Sequence, residues 1–199
     1  MAMQLIATQP MGASAAESEV APSDDILLMR IAGGDRPAMR ALFTRHRVGV
    51  YRWLLRLVRD AGLAEDLLSE VFLDVWRHAA SFERRSSVAT WLLAIARCKA
   101  MSALRKRSDD ALDHTTVAQP PDGADDPETV LEHKDLAEHL RRALTVLSSE
   151  HRQVIDLVYY HGKTVREVGE VLGVPAATVK TRMFYARRRL AEELTARAA

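Results

Sequence analysis

The chain has 199 residues, of which 48% are apolar, 6% are aromatic, nine are Gly and seven are Pro. It is long enough for one large core or two small ones, and sparse aromatics with few turn residues favour helices over a sheet sandwich. The net charge of +1 conceals a segregation: Arg30–Arg107 holds sixteen Lys/Arg against seven acids, Ser108–Glu128 holds seven acids and no base, and Arg141–Ala199 holds eleven Lys/Arg against six acids.

Residues 1–23 read as a disordered tail, small and polar, without Lys, Arg or an apolar run of signal-peptide length. A short helix, Asp24–Ala32, is closed by Gly33 and Gly34. Asp35 caps a long second helix, with Pro37 in its first turn and Met39, Leu42, Phe43, Val50, Leu54, Leu57 and Val58 at helical spacing. Asp60–Gly62 breaks it. The third helix, Leu63–Ala80, turns Ala64, Leu67, Leu68, Val71, Phe72, Val75 and Trp76 to one face, leaving Glu65, Asp66, Ser69, Glu70 and Asp74 as an acidic outer face. Ser81–Ser87 is a polar loop. A fourth helix begins near Thr90, carries Trp91, Leu92, Ile95, Ala96 and Leu104, and ends in Arg105-Lys106-Arg107. Trp76 and Trp91 sit in apolar stripes and are expected in the core rather than as stacking platforms. Cys98, the single cysteine, excludes an internal disulfide and is expected to be a buried, inert thiol.

From Ser108 the acids mingle with Pro120, Pro121, Gly123 and Pro127, the composition of a flexible linker, placed at residues 108–134 between domains at 24–107 and 135–199. Beyond it Leu136, Leu140, Leu144 and Leu147 line one face. Ser148 and Ser149 break or cap, and Val154, Ile155, Leu157 and Val158 form the next stripe, stopped by Gly162. Thr164 and Glu167 make a capping box for a helix ending at Leu172; Gly173-Val174-Pro175 is a turn; a last helix runs from Ala176 to Leu194.

Thr164–Leu190 has the parts of a helix-turn-helix. Two closely crossing helices need a small residue at the crossing, here Gly169. The turn needs a positive φ, here at Gly173. Val168, Leu172, Val174 and Val179 form the small core that locks the pair. On the last helix Val179, Met183, Ala186 and Leu190 turn inward, leaving Thr178, Lys180, Thr181, Arg182, Phe184, Tyr185, Arg187, Arg188 and Arg189 for the major groove. Lys180, Phe184 and Tyr185 suit base edges, and Arg187 and Arg188 suit phosphates. The alternatives are a plain helical hairpin with a basic face and, for Phe184, a place in the core. The basic blocks as a whole suit polyanion binding and equally suit solvated helix faces.

Two segments resemble one family. Ala64-Glu65-Asp66-Leu67-Leu68-Ser69-Glu70-Val71-Phe72, Ser81-Phe82 and Thr90-Trp91-Leu92-Leu93-Ala94-Ile95-Ala96-Arg97 resemble region 2 of the extracytoplasmic-function (ECF, group IV) sigma factors of the sigma-70 family. Leu147–Leu190 resembles their region 4. The resemblance implies an all-α protein of two small helical domains joined by a flexible acidic linker, the C-terminal one a helix-turn-helix. It implies a cytoplasmic RNA polymerase specificity subunit that is not itself an enzyme. Its partners would be the polymerase core (β and β′ subunits), promoter DNA and an anti-sigma protein, with no membrane, cofactor or metal. Asp66, Glu70 and Asp74 would contact polymerase. The Ser81–Ser87 loop (Arg84, Arg85, Ser86, Ser87) would capture a flipped base of the −10 element, with Arg97, Arg105, Lys106 and Arg107 on its backbone. The −35 element would fall to the last helix. Cys98 and Ser102 stand where many relatives carry Asn and Asp. A stand-alone regulator with a helix-turn-helix is the competing reading; an enzyme targeted by one would use the Glu65, Asp66, Glu70 and Asp74 carboxylates for a metal.

Overall fold

The computed structural model describes residues 22–111, 144 and 146–195. The expected tail at 1–21, most of the expected linker and the Leu136 and Leu140 positions lie outside the described residues. Those described fold into α-helices and one 3₁₀ turn.

Each N-terminal helix begins at a side-chain oxygen that accepts a backbone N–H otherwise left without a partner. Ser23 accepts from Ile26 ahead of α1 (Asp24–Ala32), and Asp35 accepts from Ala38 at 3.0 Å ahead of α2 (Arg36–Val58). Asp60 accepts from Leu63 at 3.0 Å ahead of α3 (Ala61–His78). After the 3₁₀ turn Ala79–Ser81, Ser87 accepts from the Thr90 amide at 3.2 Å at the start of α4 (Val88–Ala111). α4 therefore starts two residues earlier than expected and runs four past Arg107 into the expected linker. Ser87 supplies the cap, and no Gly or Pro stands between Ser108 and Ala111 to stop it. α1 is tied to α2 by Asp24, which accepts from Arg45 at 2.6 Å and contacts His46 at 2.8 Å.

The four helices bury Leu27, Ile31, Leu42, Leu54, Val71, Val75 and Leu92 around Trp53, whose indole N–H donates to the Leu93 carbonyl at 3.2 Å. Phe43 meets Phe72 edge-on at 4.8 Å. Trp76 and Trp91 are partly buried against this core, Trp91 beside Phe82 at 5.1 Å. Cys98 departs from expectation: it is exposed. Leu92, Ala96 and Ala100 fix the inward phase of α4, and Cys98 lies about 200° around the helix from Ala96.

In the C-terminal unit Ser148 caps α5 (Ser149–Tyr159) through the His151 amide. α6 (Val165–Leu172) opens with both halves of the capping box: Thr164 Oγ1 accepts from the Glu167 N–H at 3.3 Å, and Glu167 Oε2 accepts from the Thr164 N–H at 3.0 Å. Gly173 (φ +67°) ends α6, and α7 (Ala176–Thr195) crosses it. Val168, Leu172, Val179, Met183 and Ala186 are buried as the helix-turn-helix pattern requires. The Gly169 carbonyl accepts from the Gly173 and Val174 amides, fastening the turn to the crossing point.

The two units pack on each other, α4 against α6. Thr90 and Ser87 donate to Glu167 Oε1 at 2.8 and 3.3 Å, and Arg97 donates to Gln153 at 3.2 Å. Arg56 pairs with the buried Asp156 and lies 4.0 Å over the Tyr160 ring. His161 meets Trp53 edge-on at 5.9 Å.

Candidate nucleic-acid interface

The outer face of α7 gathers most of the residues expected there. Lys180 and Thr181 are exposed, and Phe184 and Tyr185 are 63% and 51% exposed, edge to face at 5.4 Å. Phe184 is thus not a core residue. Two aromatic rings and a lysine thus stand in water on a helix whose other side is packed, and each ring leaves apolar area uncovered. Arg187 is exposed and steadied from α5, its Nε donating to the Tyr159 hydroxyl at 3.1 Å. Arg188 and Arg189 share Glu192 at 2.9 and 3.5 Å. Thr178 is half-buried. Arg182 turns away from the groove-facing side: its guanidinium reaches Glu150 of α5 at 3.3 Å, because position 182 lies beside the inward Met183 and Val179.

In the N-terminal unit Arg84 (φ +55°) and Arg85 are exposed in the loop, Arg85 paired with Glu83 at 2.9 Å, while Ser86 is half-buried. Arg105 and Lys106 are exposed at the far end of α4, and Arg107 pairs with Asp60 at 3.1 Å. Ser87 and Arg97, both expected to meet DNA, are instead engaged with the C-terminal unit through Glu167 and Gln153. The acidic face of α3 is present, and Leu73, 45% exposed, lies on the same stripe as Asp66 and Glu70. Sequence reasoning missed this apolar residue, although its i+7 and i+3 spacing from those acids was there to find. Lys99 of α4 lies 2.9 Å from Asp74 and 3.3 Å from Glu70. The Asp74 hydrogen bond, opposed by burial and helped by Glu70, holds the Lys99 ammonium above the ordinary lysine value. Among the described residues no group of carboxylates, histidines or cysteine is placed to hold a metal ion.

Sequence reasoning also missed the residues between the units. Burial pushes the Asp156 carboxyl up to about 6, against the pull of Arg56. Burial, with the charges of Arg56 and Lys163, holds His161 down to about 4. Asp156 Oδ2 and His161 Nε2, 3.7 Å apart, are buried without a hydrogen bond. Burial would raise Glu167, but the Thr164 amide, the Thr90 and Thr164 hydroxyls and the Lys163 charge outweigh it and hold the carboxyl at about 2. One signal was visible: Asp156 interrupts the run Val154-Ile155-Asp156-Leu157-Val158, and a carboxylate inside an apolar stripe requires a partner.

Comparison with known proteins decides the family. A family model described as Sigma-70 region 2 matches residues 42–109, and one described as Sigma-70, region 4 matches residues 143–192. The ECF RNA polymerase sigma factor SigK of Mycobacterium tuberculosis (strain H37Rv) is 33% identical over 171 residues, covering 83% of this chain and 90% of its own. The chain is an ECF sigma factor. SigK of Mycobacterium sp. (strain KMS) is 34% identical to this sigma factor over 164 residues, covering 80% of it and 84% of SigK. The fold of this sigma factor matches RpoE of Bartonella quintana, solved with the anti-sigma factor NepR, at a TM-score of 0.66 and 25% identity over 78% of this chain and 96% of that one. It also matches CnrH, solved with the cytosolic domain of CnrY, at 0.64 and 23% over 88% and 99%. As a sigma factor the protein is a transcription initiation factor, and no described helix is long and apolar enough to cross a membrane.

Proposed function

We propose a residue-level division of labour for promoter recognition. The N-terminal domain, residues 24–107 with the end of α4, docks on core polymerase through Asp66, Glu70 and Leu73 of α3. It captures the −10 element with Arg84, Arg85, Ser86 and Ser87 of the loop and with Arg97, Arg105 and Lys106 of α4. The C-terminal domain reads the −35 element with α7: Lys180, Phe184 and Tyr185 against base edges, and Arg187 and Arg188 against phosphates. Asp74 and Glu70 both pair with Lys99, and Asp74, the more covered of the two, sits at the edge of the docking surface. Polymerase performs the chemistry, in the cytoplasm, and strand opening is driven by capture of unstacked bases. An anti-sigma protein, of the kind bound to the RpoE relative, holds the factor inactive.

The observation that carries this reading is the outer face of α7, where Lys180, Phe184, Tyr185 and Arg187 stand exposed on a helix whose opposite side locks the helix-turn-helix. The test is run-off transcription with bacterial core polymerase on a library of promoter fragments. Wild-type protein yields transcripts sharing two short spaced elements. Glu70→Lys abolishes them with loss of affinity for core, whereas Lys180→Ala leaves core affinity intact and changes which −35 elements are used. Specific duplex binding with no affinity for core would replace this reading with a stand-alone regulator.

A further inference from the structure

Arg187 of α7 does not stand alone on the outer face. Its Nε–H donates to the hydroxyl of Tyr159, the last residue of α5, at 3.1 Å, and its guanidinium carbon lies 5.9 Å from the centre of that ring. Helix α5 packs along α7, so the phenol is held against the stripe that carries Lys180 and Phe184, seven and three residues before Arg187. Tyr159 is itself 59% exposed, too open for a core residue. The neighbouring cations differ. Arg188 and Arg189 both share Glu192, whereas among the described residues no carboxylate pairs with Arg187.

Proton counting fixes what this pair has left to offer. A guanidinium has donors and no acceptor, so the Tyr159 oxygen is the acceptor in their bond and its own O–H is left to donate. The N–H groups on both terminal nitrogens of Arg187 also remain, and among the described residues they donate to no other group. Free donors and one uncompensated positive charge thus lie side by side. Such a pair suits a tetrahedral oxyanion, whose separate oxygens accept from a guanidinium edge and a hydroxyl together. A carboxylate has only its two coplanar oxygens, and the guanidinium alone would occupy both. On the −35 duplex the tetrahedral oxyanion is a backbone phosphate. Holding Arg187 in advance also removes part of the rotamer freedom that a long side chain loses on binding.

We propose that Tyr159 and Arg187 form a two-residue phosphate clamp: the phenol O–H donates to one oxygen of a −35 backbone phosphate and the terminal nitrogens of Arg187 donate to others of the same phosphate. The proposal rests on the reading of α7 as the −35 helix. It extends the DNA-contacting surface from the helix-turn-helix to the end of α5. It also separates Arg187 from Arg188, whose charge Glu192 already shares. A hydroxyl adds no charge, so Tyr159 contributes affinity without salt dependence, and Arg187 contributes both.

The experiment titrates full-length protein, assembled with core polymerase, onto duplex fragments carrying a −35 element used in the run-off assay, at several salt concentrations. Tyr159→Phe keeps the ring and removes only the hydroxyl. It should weaken binding about three- to tenfold for every −35 sequence alike and leave the slope of affinity against salt unchanged. Arg187→Ala should lower that slope by about one counterion. Tyr160→Phe, at the exposed neighbour whose ring lies under Arg56, should bind as wild type does. A methylphosphonate at each −35 phosphate in turn then locates the contact. The modification that most weakens wild type should lose most of its effect in both Tyr159→Phe and Arg187→Ala, and at the same phosphate. A Tyr159→Phe protein that binds like wild type overturns the proposal. So does one weakened equally at every modified phosphate, which marks a purely structural role, or one whose insensitive phosphate differs from that of Arg187→Ala. Absence of any −35 element from the run-off transcripts sinks the reading of α7 and the clamp with it, whereas normal −35 use with an unaffected Tyr159→Phe protein sinks the clamp alone.

Discussion

A single methyl group at Gly169 tests whether the helix-turn-helix depends on the close crossing of α6 and α7. A Cβ at this position would lie 2.8 Å from the Val174 carbonyl oxygen and 3.9 Å from Val179 Cγ2. The obstacle is backbone, which cannot rotate aside as a side chain would, so the turn must move by roughly half an ångström to restore ordinary contact. Overpacking of this kind costs about 1–3 kcal/mol. The displaced segment includes the amides of Gly173 and Val174 that donate to the Gly169 carbonyl, and weakening one of those bonds adds about 1 kcal/mol. Alanine returns about 1 kcal/mol of helix propensity. Gly169→Ala should therefore destabilise the protein by about 1–3 kcal/mol in urea unfolding followed by circular dichroism, and lower affinity for −35 duplex by tilting α7. Gly49→Ala is the matched control: it lies inside α2 with nothing within 4 Å of the new methyl, so it should stabilise by up to about 1 kcal/mol. If Gly169→Ala proves as stable as Gly49→Ala, the close-crossing argument is wrong.

The two buried titrating groups between the domains oppose each other. His161 is held down, so the unfolded chain takes up that proton first and stability is lost as pH falls from 6.5 towards about 4. Asp156 is raised, so its contribution is present below 3.8 and lost as pH rises through about 6. His161→Phe keeps a ring against Trp53 and deletes the first effect. The stability of the variant relative to wild type should rise by about 2 kcal/mol between pH 7 and pH 4, a figure reduced for solvent screening; parallel pH courses in chemical unfolding would refute the assignment. Ser148→Ala removes the acceptor for the His151 amide and should cost about 1 kcal/mol in the same assay. On −35 duplex, Lys180→Ala should cost about 1–3 kcal/mol and relax preference at one base position, whereas Arg187→Ala should weaken all sequences alike and reduce the salt dependence by about one counterion.

Much of the fold is legible because its signals are local. Asp35 before Pro37, Thr164 three residues before Glu167, and Gly173 before Val174-Pro175 each act within a single turn, and each sits where the sequence places it. The inward stripe of α7 is equally local, and it leaves Lys180, Phe184 and Tyr185 in solvent. Cys98 has no adjacent partner in sequence and reads as a buried thiol, although the phase set by Leu92, Ala96 and Ala100 turns it outward. The start of α4 was misplaced because Ser87, its cap, reads as one more polar loop residue. What sequence cannot supply is which surfaces meet. Ser87, Arg97 and Arg182 carry the right chemistry for DNA, yet the structure commits each to a protein partner far away in sequence, Glu167, Gln153 and Glu150. Arg56 of α2 and Asp156 of α5 are one hundred residues apart and pair only because the two units meet.

The position of Trp53 gives the protein an optical probe of its own. Its indole is 1% exposed, fixed by the Leu93 carbonyl and faced by His161 from the other domain. Trp76 and Trp91 are only partly covered, Trp91 with its ring against Phe82. Of the three tryptophans in the chain, then, one has an emission environment completed by the distant domain. The imidazole that touches it is neutral near pH 7, and its place against the indole helps keep water from the ring. A shift of intrinsic emission to longer wavelength, as water reaches Trp53, would report any loss of that contact in unlabelled protein.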